Sequence, residues 1–218
     1  MLAKETVDFL KKLEKNNDRD WFNENKDRFV RAKDNVIAMT GELMSMIAKF
    51  DPAIVGLDPR SCVFRIYRDV RFSKDKSPYK TNLGAFIAPG GKKTMAPGYY
   101  FHIQPRMFFG AAGKHMPDAG ELLKIRNAIA ANTKGFLKIV EAKKFKERFG
   151  GLDGERLSKP PKGFAVDTPA IEYLKLKSFT VSEEFPEKIA TSNEYAKLLA
   201  DSFKAAYPLI VFLRDALR

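Results

Sequence analysis

Phe22, Phe29, Val36, Leu43 and Phe50 recur every seven residues, and Met44 and Ile47 widen the stripe they draw. Side chains seven apart lie two turns apart on one face of an α-helix. The spacing therefore predicts a long helix, from about Trp21 to Phe50, with an apolar face against a core. At 1.5 Å of rise per residue it would run roughly 45 Å, enough to back a whole sheet. Its other side carries Lys26, Arg28, Arg31 and Lys33, which read as a solvated face. Asp51-Pro52 ends it, because proline disfavours helical backbone in the residue before it. Ahead of it, residues 4–14 place Val7, Leu10 and Leu13 on one side, with Phe9 beside them, as in a short amphipathic helix. Asn16-Asn17-Asp18-Arg19-Asp20 breaks that pattern and offers side-chain oxygens to cap the next helix.

From about Ser61 the apolar period drops to two. Cys62, Phe64 and Ile66 alternate with Val63, Arg65, Tyr67 and Asp69. The same alternation returns in Leu83, Ala85 and Ile87, and in Tyr99, Phe101 and Ile103; a further strand covers about Met107 to Ala112. Pro89-Gly90-Gly91-Lys92-Lys93 reads as a turn, and such short links favour antiparallel pairing. Pro117-Asp118 with Glu121 has the form of a capping box, opening a helix to about Ala131. A second helix follows from about Thr133 to Phe149, closed by Gly150-Gly151. Residues 151–170 read as loop, Thr168-Pro169 as the start of a short helix, Leu176 to Ser182 as a strand, and the C-terminus as a helix capped by Ser192 and bent near Pro208. The expected fold class is α+β. A mostly antiparallel sheet over about residues 61–112 packs against the long N-terminal helix and the C-terminal helices, in a single domain spanning 1–218.

Composition narrows the function classes. The 218 residues carry 39 Lys and Arg against 27 Asp and Glu, a formal charge of +12, so phosphates, nucleic acid and anionic headgroups are the natural partners. Cys62 is the sole cysteine, which rules out an intrachain disulfide, fits a reducing compartment and reads as a small core residue. The first residues lack an apolar signal core, and the longest apolar run near the C-terminus, Leu209 to Leu213, is too short to span a bilayer. A soluble, cytoplasmic protein without membrane contact is the expectation. Two separated histidines and one cysteine make no zinc signature, and no Walker loop, Gly-x-Ser-x-Gly or dinucleotide fingerprint is present, so neither metal nor cofactor is expected.

The chemistry concentrates in Arg65-Ile66-Tyr67-Arg68-Asp69-Val70-Arg71-Phe72-Ser73-Lys74-Asp75-Lys76-Ser77-Pro78-Tyr79-Lys80-Thr81-Asn82. Six cations, two carboxylates and two tyrosines in so short a run suit a surface that holds an anion. Arg65, Arg68 and Arg71 can grip two oxygens at once, whereas Lys74, Lys76 and Lys80 act as point charges. The Ser73, Ser77 and Thr81 hydroxyls could complete a phosphate cradle. Against this stands a structural alternative, in which Asp69 and Asp75 neutralise some of the cations and fix the loop. On a strand, Arg65, Tyr67 and Asp69 would face a pocket while Phe64 and Ile66 face the core.

This run resembles the signature of an uncharacterised, mainly bacterial family, domain of unknown function 2461. Phe9-Leu10, Asn16-Asn17, Arg19, Trp21-Phe22 and Asn25-Lys26 are similar to that family's opening. Tyr99-Tyr100-Phe101-His102-Ile103 and Pro161-Lys162-Gly163-Phe164 resemble its later blocks. The resemblance spans nearly the whole chain. It implies candidate positions and no chemistry.

His102 is the titratable candidate nearest working pH, on a strand face with Tyr100 and Gln104; the alternative is a half-buried, hydrogen-bonded histidine. His115 falls in a turn. Trp21 reads as a core anchor or as a pocket wall. The candidate proton-transfer groups are His102, Asp69 and Tyr79. The candidate ligand-binding groups are Arg65, Tyr67, Arg68, Arg71, Ser73, Lys74, Lys76, Lys80 and Tyr100. Three functions remain open: binding of a phosphorylated or other anionic small ligand, with or without turnover; a nucleic-acid-binding module; and an interaction protein whose motif is a salt-bridged scaffold.

Overall fold

The apolar spacing of the N-terminal third closes into three helices. In the computed structural model, which describes residues 1–218, these are α1 (Lys4–Lys15), α2 (Arg19–Glu24) and α3 (Lys26–Ile47). Helix α1 buries Val7, Phe9, Leu10 and Leu13 and packs on α3, which buries Val36, Met39, Leu43, Met44 and Ile47. The single helix expected over Trp21–Phe50 is thus two helices. They part at Asn25, whose backbone leaves helical geometry and whose amide donates back to the Trp21 carbonyl at 2.9 Å. A short polar side chain that satisfies a neighbouring backbone group competes with the helix ladder, and here it wins. The seven-residue stripe nevertheless stays continuous across the break, since Phe22 and Phe29 sit 5.1 Å apart, ring to ring. Phe50 lies beyond the end of α3, and a 3-10 turn (Pro52–Ile54) follows.

The strand expected from Ser61 is not there. Asp58 caps a helical turn, α4 (Pro59–Cys62), by accepting from the Arg60 N–H at 2.9 Å. Asp58 followed by Pro59 suits a helix start, since the carboxylate caps and proline fits the first helical position. Past α4 the chain pairs with residues 78–85 only through isolated bridges, Val63 with Ala85 and Tyr67 with Tyr79. Cys62 and Val63 are both buried, which breaks the period of two, and Phe64 is 37% exposed rather than in the core.

The sheet therefore starts at residue 83 rather than 61. Strands β1 (Leu83–Ile87), β2 (Gly98–Gln104), β3 (Met107–Lys114) and, from far down the chain, β4 (Phe179–Glu184) form an antiparallel sheet in the order β1-β2-β3-β4. Strand β2 alternates as expected: Tyr99, Phe101 and Ile103 are buried, while Tyr100, His102 and Gln104 are half-buried on the other face. Helix α3 lies against β1. No helix is long and apolar enough to cross a membrane.

The rest is helical: α5 (Ala119–Ala131), α6 (Thr133–Val140), α7 (Lys143–Phe149), α8 (Ile171–Leu174), α9 (Glu187–Ala190) and α10 (Tyr195–Leu217), the last with Pro208 inside it. The capping box forms reciprocally, Asp118 accepting from the Glu121 N–H and Glu121 from the Asp118 N–H. The helix expected from Thr133 to Phe149 is split where Ala142 turns extended. Chain contacts define two compact units. One comprises Met1–Thr94, Tyr100–Gly110 and Glu184–Asp201; the other comprises Met95–Tyr99, Ala111–Glu183 and Ser202–Arg218. In the second, Lys114 is buried against the Glu121 carboxylate and the Met95 carbonyl, and Arg126 donates to the Leu174 and Leu176 carbonyls, so both buried cations are satisfied structurally. The basic run lies in the first unit.

Candidate functional site: a cavity at the base of the basic loop

The base of the loop is fixed by one asparagine and one aromatic stack. Asn17, in the link between α1 and α2, donates its amide to the Tyr79 carbonyl at 2.9 Å and accepts from the Tyr79 N–H at 3.1 Å. Its side chain thus does for Tyr79 what a neighbouring strand would do. The Tyr79 ring, on a residue only 5% exposed, lies flat on Phe22 with centroids 3.9 Å apart. Tyr67 closes the group at 5.5 Å from Tyr79, and Phe9 joins it to Trp21 and Phe29. Trp21, half-buried, stacks on Phe9 at 6.0 Å and does not line the cavity below. Burial, with Tyr67 beside it, pushes the Tyr79 phenol up, so it stays protonated.

The apex of the loop holds itself. Arg68 pairs with Asp75 and donates to the Ser77 carbonyl at 3.2 Å and, more weakly, to Ser73 Oγ at 3.4 Å. Asp75 accepts from the Ser77 N–H and hydroxyl. Those two bonds, then Arg68, hold its carboxyl far below the usual carboxylate range. Arg71 grips both oxygens of Asp69 at 2.9 and 2.7 Å and lowers that acid as well. Lys76 donates to the Val70 carbonyl. Three of the six cations are therefore tied to the loop. Arg65, Lys74 and Lys80 form no salt bridge.

Beside the loop base lies a cavity of about 350 Å³, lined by Glu14, Asn17, Arg68, Asp75, Ser77, Tyr79, Lys80, Thr81 and Asn82. Its two carboxylates are already compensated, Asp75 by Arg68 and Glu14 by Arg106 Nη2, which reaches both oxygens at 2.7 and 2.9 Å. Lys80 is the one lining charge with no ionic partner. Burial, with Arg65 nearby, lowers its ammonium pKa. The Thr81 hydroxyl and the Asn82 amide make no hydrogen bond to the protein. An ammonium short of hydration, next to unused hydrogen-bonding groups, is a site where an oxyanion gains more than it would in bulk water.

The cavity lining and its supports come from residues 9 to 106. A model of a conserved hypothetical protein family, DUF2461, matches residues 5–212. The chain belongs to the DUF2461 family. No curated protein matches it, and no solved structure does. Within this DUF2461 chain, the cavity gathers Arg68, Tyr79 and Lys80 from the expected site residues, along with Ser77 and Thr81 from the expected cradle. Arg65, Tyr67, Asp69, Arg71, Ser73, Lys74 and Lys76 do not line it, nor do Tyr100 and His102. Arg65, Tyr67 and Asp69 precede the sheet, which starts at Leu83, whereas Tyr100 and His102 sit on β2. Glu14, Asn17 and Asn82 are lining residues that sequence reasoning did not select. For Asn17 the available signal was its place in the similar opening block, between two helices.

His102 has both ring nitrogens engaged. Tyr100 Oη lies 2.8 Å from Nδ1 and Gln104 Oε1 lies 3.0 Å from Nε2. Its ring stacks on Phe109 at 4.8 Å. Burial lowers its pKa against the opposing pull of the Gln104 bond, and burial pushes Tyr100 up to about 12.

Proposed function

We propose that this protein binds a phosphorylated or otherwise anionic small ligand in the cavity at the base of the basic loop. The observation that carries the reading is Lys80: a partly desolvated ammonium with no carboxylate partner, in a cavity whose own acids are neutralised. Thr81 and Asn82 supply hydrogen bonds to the bound oxygens, and Arg68, held rigid by Asp75 and Ser77, contributes field without having to be reordered. Of the three proton-transfer candidates only Tyr79 borders the cavity, and it is protonated. The reading includes a cytoplasmic setting, supported by Cys62, which is free and buried. A thermal-shift screen against phosphorylated metabolites, nucleotides and sulfated compounds tests it. At least one phosphorylated class should raise the melting temperature of the parent and not of Lys80→Met. A flat screen would refute the reading.

One observation favours a second reading, a nucleic-acid-binding module. Phe72 at the loop apex is 96% exposed between Arg71 and Lys74, as a stacking side chain flanked by phosphate contacts would be. That reading requires low-salt binding of single strands that weakens steeply as salt rises, because phosphate neutralisation releases counterions. A mobility-shift series without low-salt binding removes it. The scaffold alternative draws support from the Arg68–Asp75 and Arg71–Asp69 pairs, but it leaves Lys80 unexplained.

A further inference from the structure

We propose that the anion held at Lys80 belongs to a ligand with a flat aromatic ring, chemically a nucleoside phosphate, whose ring stacks on the exposed ring of Phe64. This deepens the reading of the Lys80 cavity and rests on it.

Lys80 belongs to two surfaces at once. It lines the cavity, and its ammonium sits 5.7 Å from the centroid of the Phe64 ring. Phe64 is 37% exposed, beyond the core in which alternation would have put it. From Phe64 the rings continue, edge-on to Tyr100 at 6.1 Å, then from Tyr100 to Phe109 at 5.8 Å and to His102 at 5.9 Å. A row of rings, each tilted to the next, thus begins with Phe64 where the anion site ends.

The row is preformed. A Cβ at Gly84 would stand 2.5 Å from the Phe101 carbonyl and 3.0 Å from the Tyr100 hydroxyl, so glycine there lets the Tyr100 ring lie against the β1 backbone. The hydrogen bonds then fix every donor. Gln104 Oε1 can only accept, so His102 Nε2 carries the proton and Nδ1 accepts from the Tyr100 hydroxyl. That leaves both N–H donors of the Gln104 amide unused at the far end of the row. A rigid, neutral row of rings costs little ordering on binding and suits a planar heterocycle better than an aliphatic chain.

Calorimetric titration of the full chain with inorganic phosphate, ribose 5-phosphate and adenosine 5′-monophosphate tests this. On the parent, the nucleotide should bind about tenfold tighter than the sugar phosphate, the gain expected of one base stacked on an aromatic ring. Phe64→Leu should erase that margin and leave ribose 5-phosphate unchanged, while Lys80→Met should weaken both. Equal affinity of the nucleotide and the sugar phosphate on the parent overturns the inference alone, and that comparison needs no variant. A margin that survives Phe64→Leu overturns it too. If none of the three phosphates binds, the anion reading fails and this inference falls with it.

Discussion

Residues 69–77 and 78–82 are consecutive and held by opposite means. The apex closes on itself through Arg68–Asp75, Arg71–Asp69 and Lys76 on the Val70 carbonyl, among exposed side chains. The base is gripped from outside by Asn17 and by the Phe22 ring. Exposed ion pairs contribute little to stability, because water screens the attraction and two long side chains must be ordered. A buried ring on a ring contributes several times more. The apex is therefore a shaped tip that can change cheaply. The base is the part the fold depends on, and it presents Lys80, Thr81 and Asn82.

That contrast can be broken most directly at Tyr79. Tyr79→Ala removes a buried ring from the Phe22 stack and should cost about 3–5 kcal/mol, read as a lower urea midpoint. Asn17→Ala strips two partly buried hydrogen bonds and leaves the Tyr79 N–H and carbonyl without them; about 1–3 kcal/mol is expected in the same assay. A loss at either position no larger than for an apex variant would contradict the division.

Acid separates the sheet face from the loop. His102 titrates below its ordinary 6.5 when folded. As pH falls through 6.5, the unfolded chain takes up a proton that the folded chain refuses, so stability declines over that window. His102→Gln should flatten this limb of a melting-temperature profile. Asp69 and Asp75 have depressed values, so their contribution is intact above 3.8 and is lost only as pH falls further. The smallest effect is at the apex, where Arg71→Ala should leave the urea midpoint within error despite removing a bidentate pair on paper.

The same contrast explains what could be read from the sequence. The buried faces of α1 and α3, the alternation of β2 and the Asp118–Glu121 capping box follow from periodicity and local bonds, and they stand. The break at Asn25 and the clamp by Asn17 are single side-chain-to-backbone bonds that no periodicity encodes. At Pro59–Cys62 a local cap signal competed with a longer alternation and prevailed, which moved the sheet's start to Leu83. The basic run announced a concentration of charge. It did not show which cations would be neutralised, because that depends on the loop folding back so that Asp75 meets Arg68 and leaves Lys80 alone.

The most direct test of the Lys80 site is titration with inorganic phosphate, followed by phosphorus line broadening, on the parent and on Lys80→Met. The parent should bind. Its affinity should decline as pH rises from neutrality towards 10.5, because the partly buried ammonium loses its proton earlier than an exposed lysine would. Lys80→Met should fold as stably as the parent and lose the binding. Undiminished binding by Lys80→Met, or none by the parent, would contradict an anion site built on Lys80.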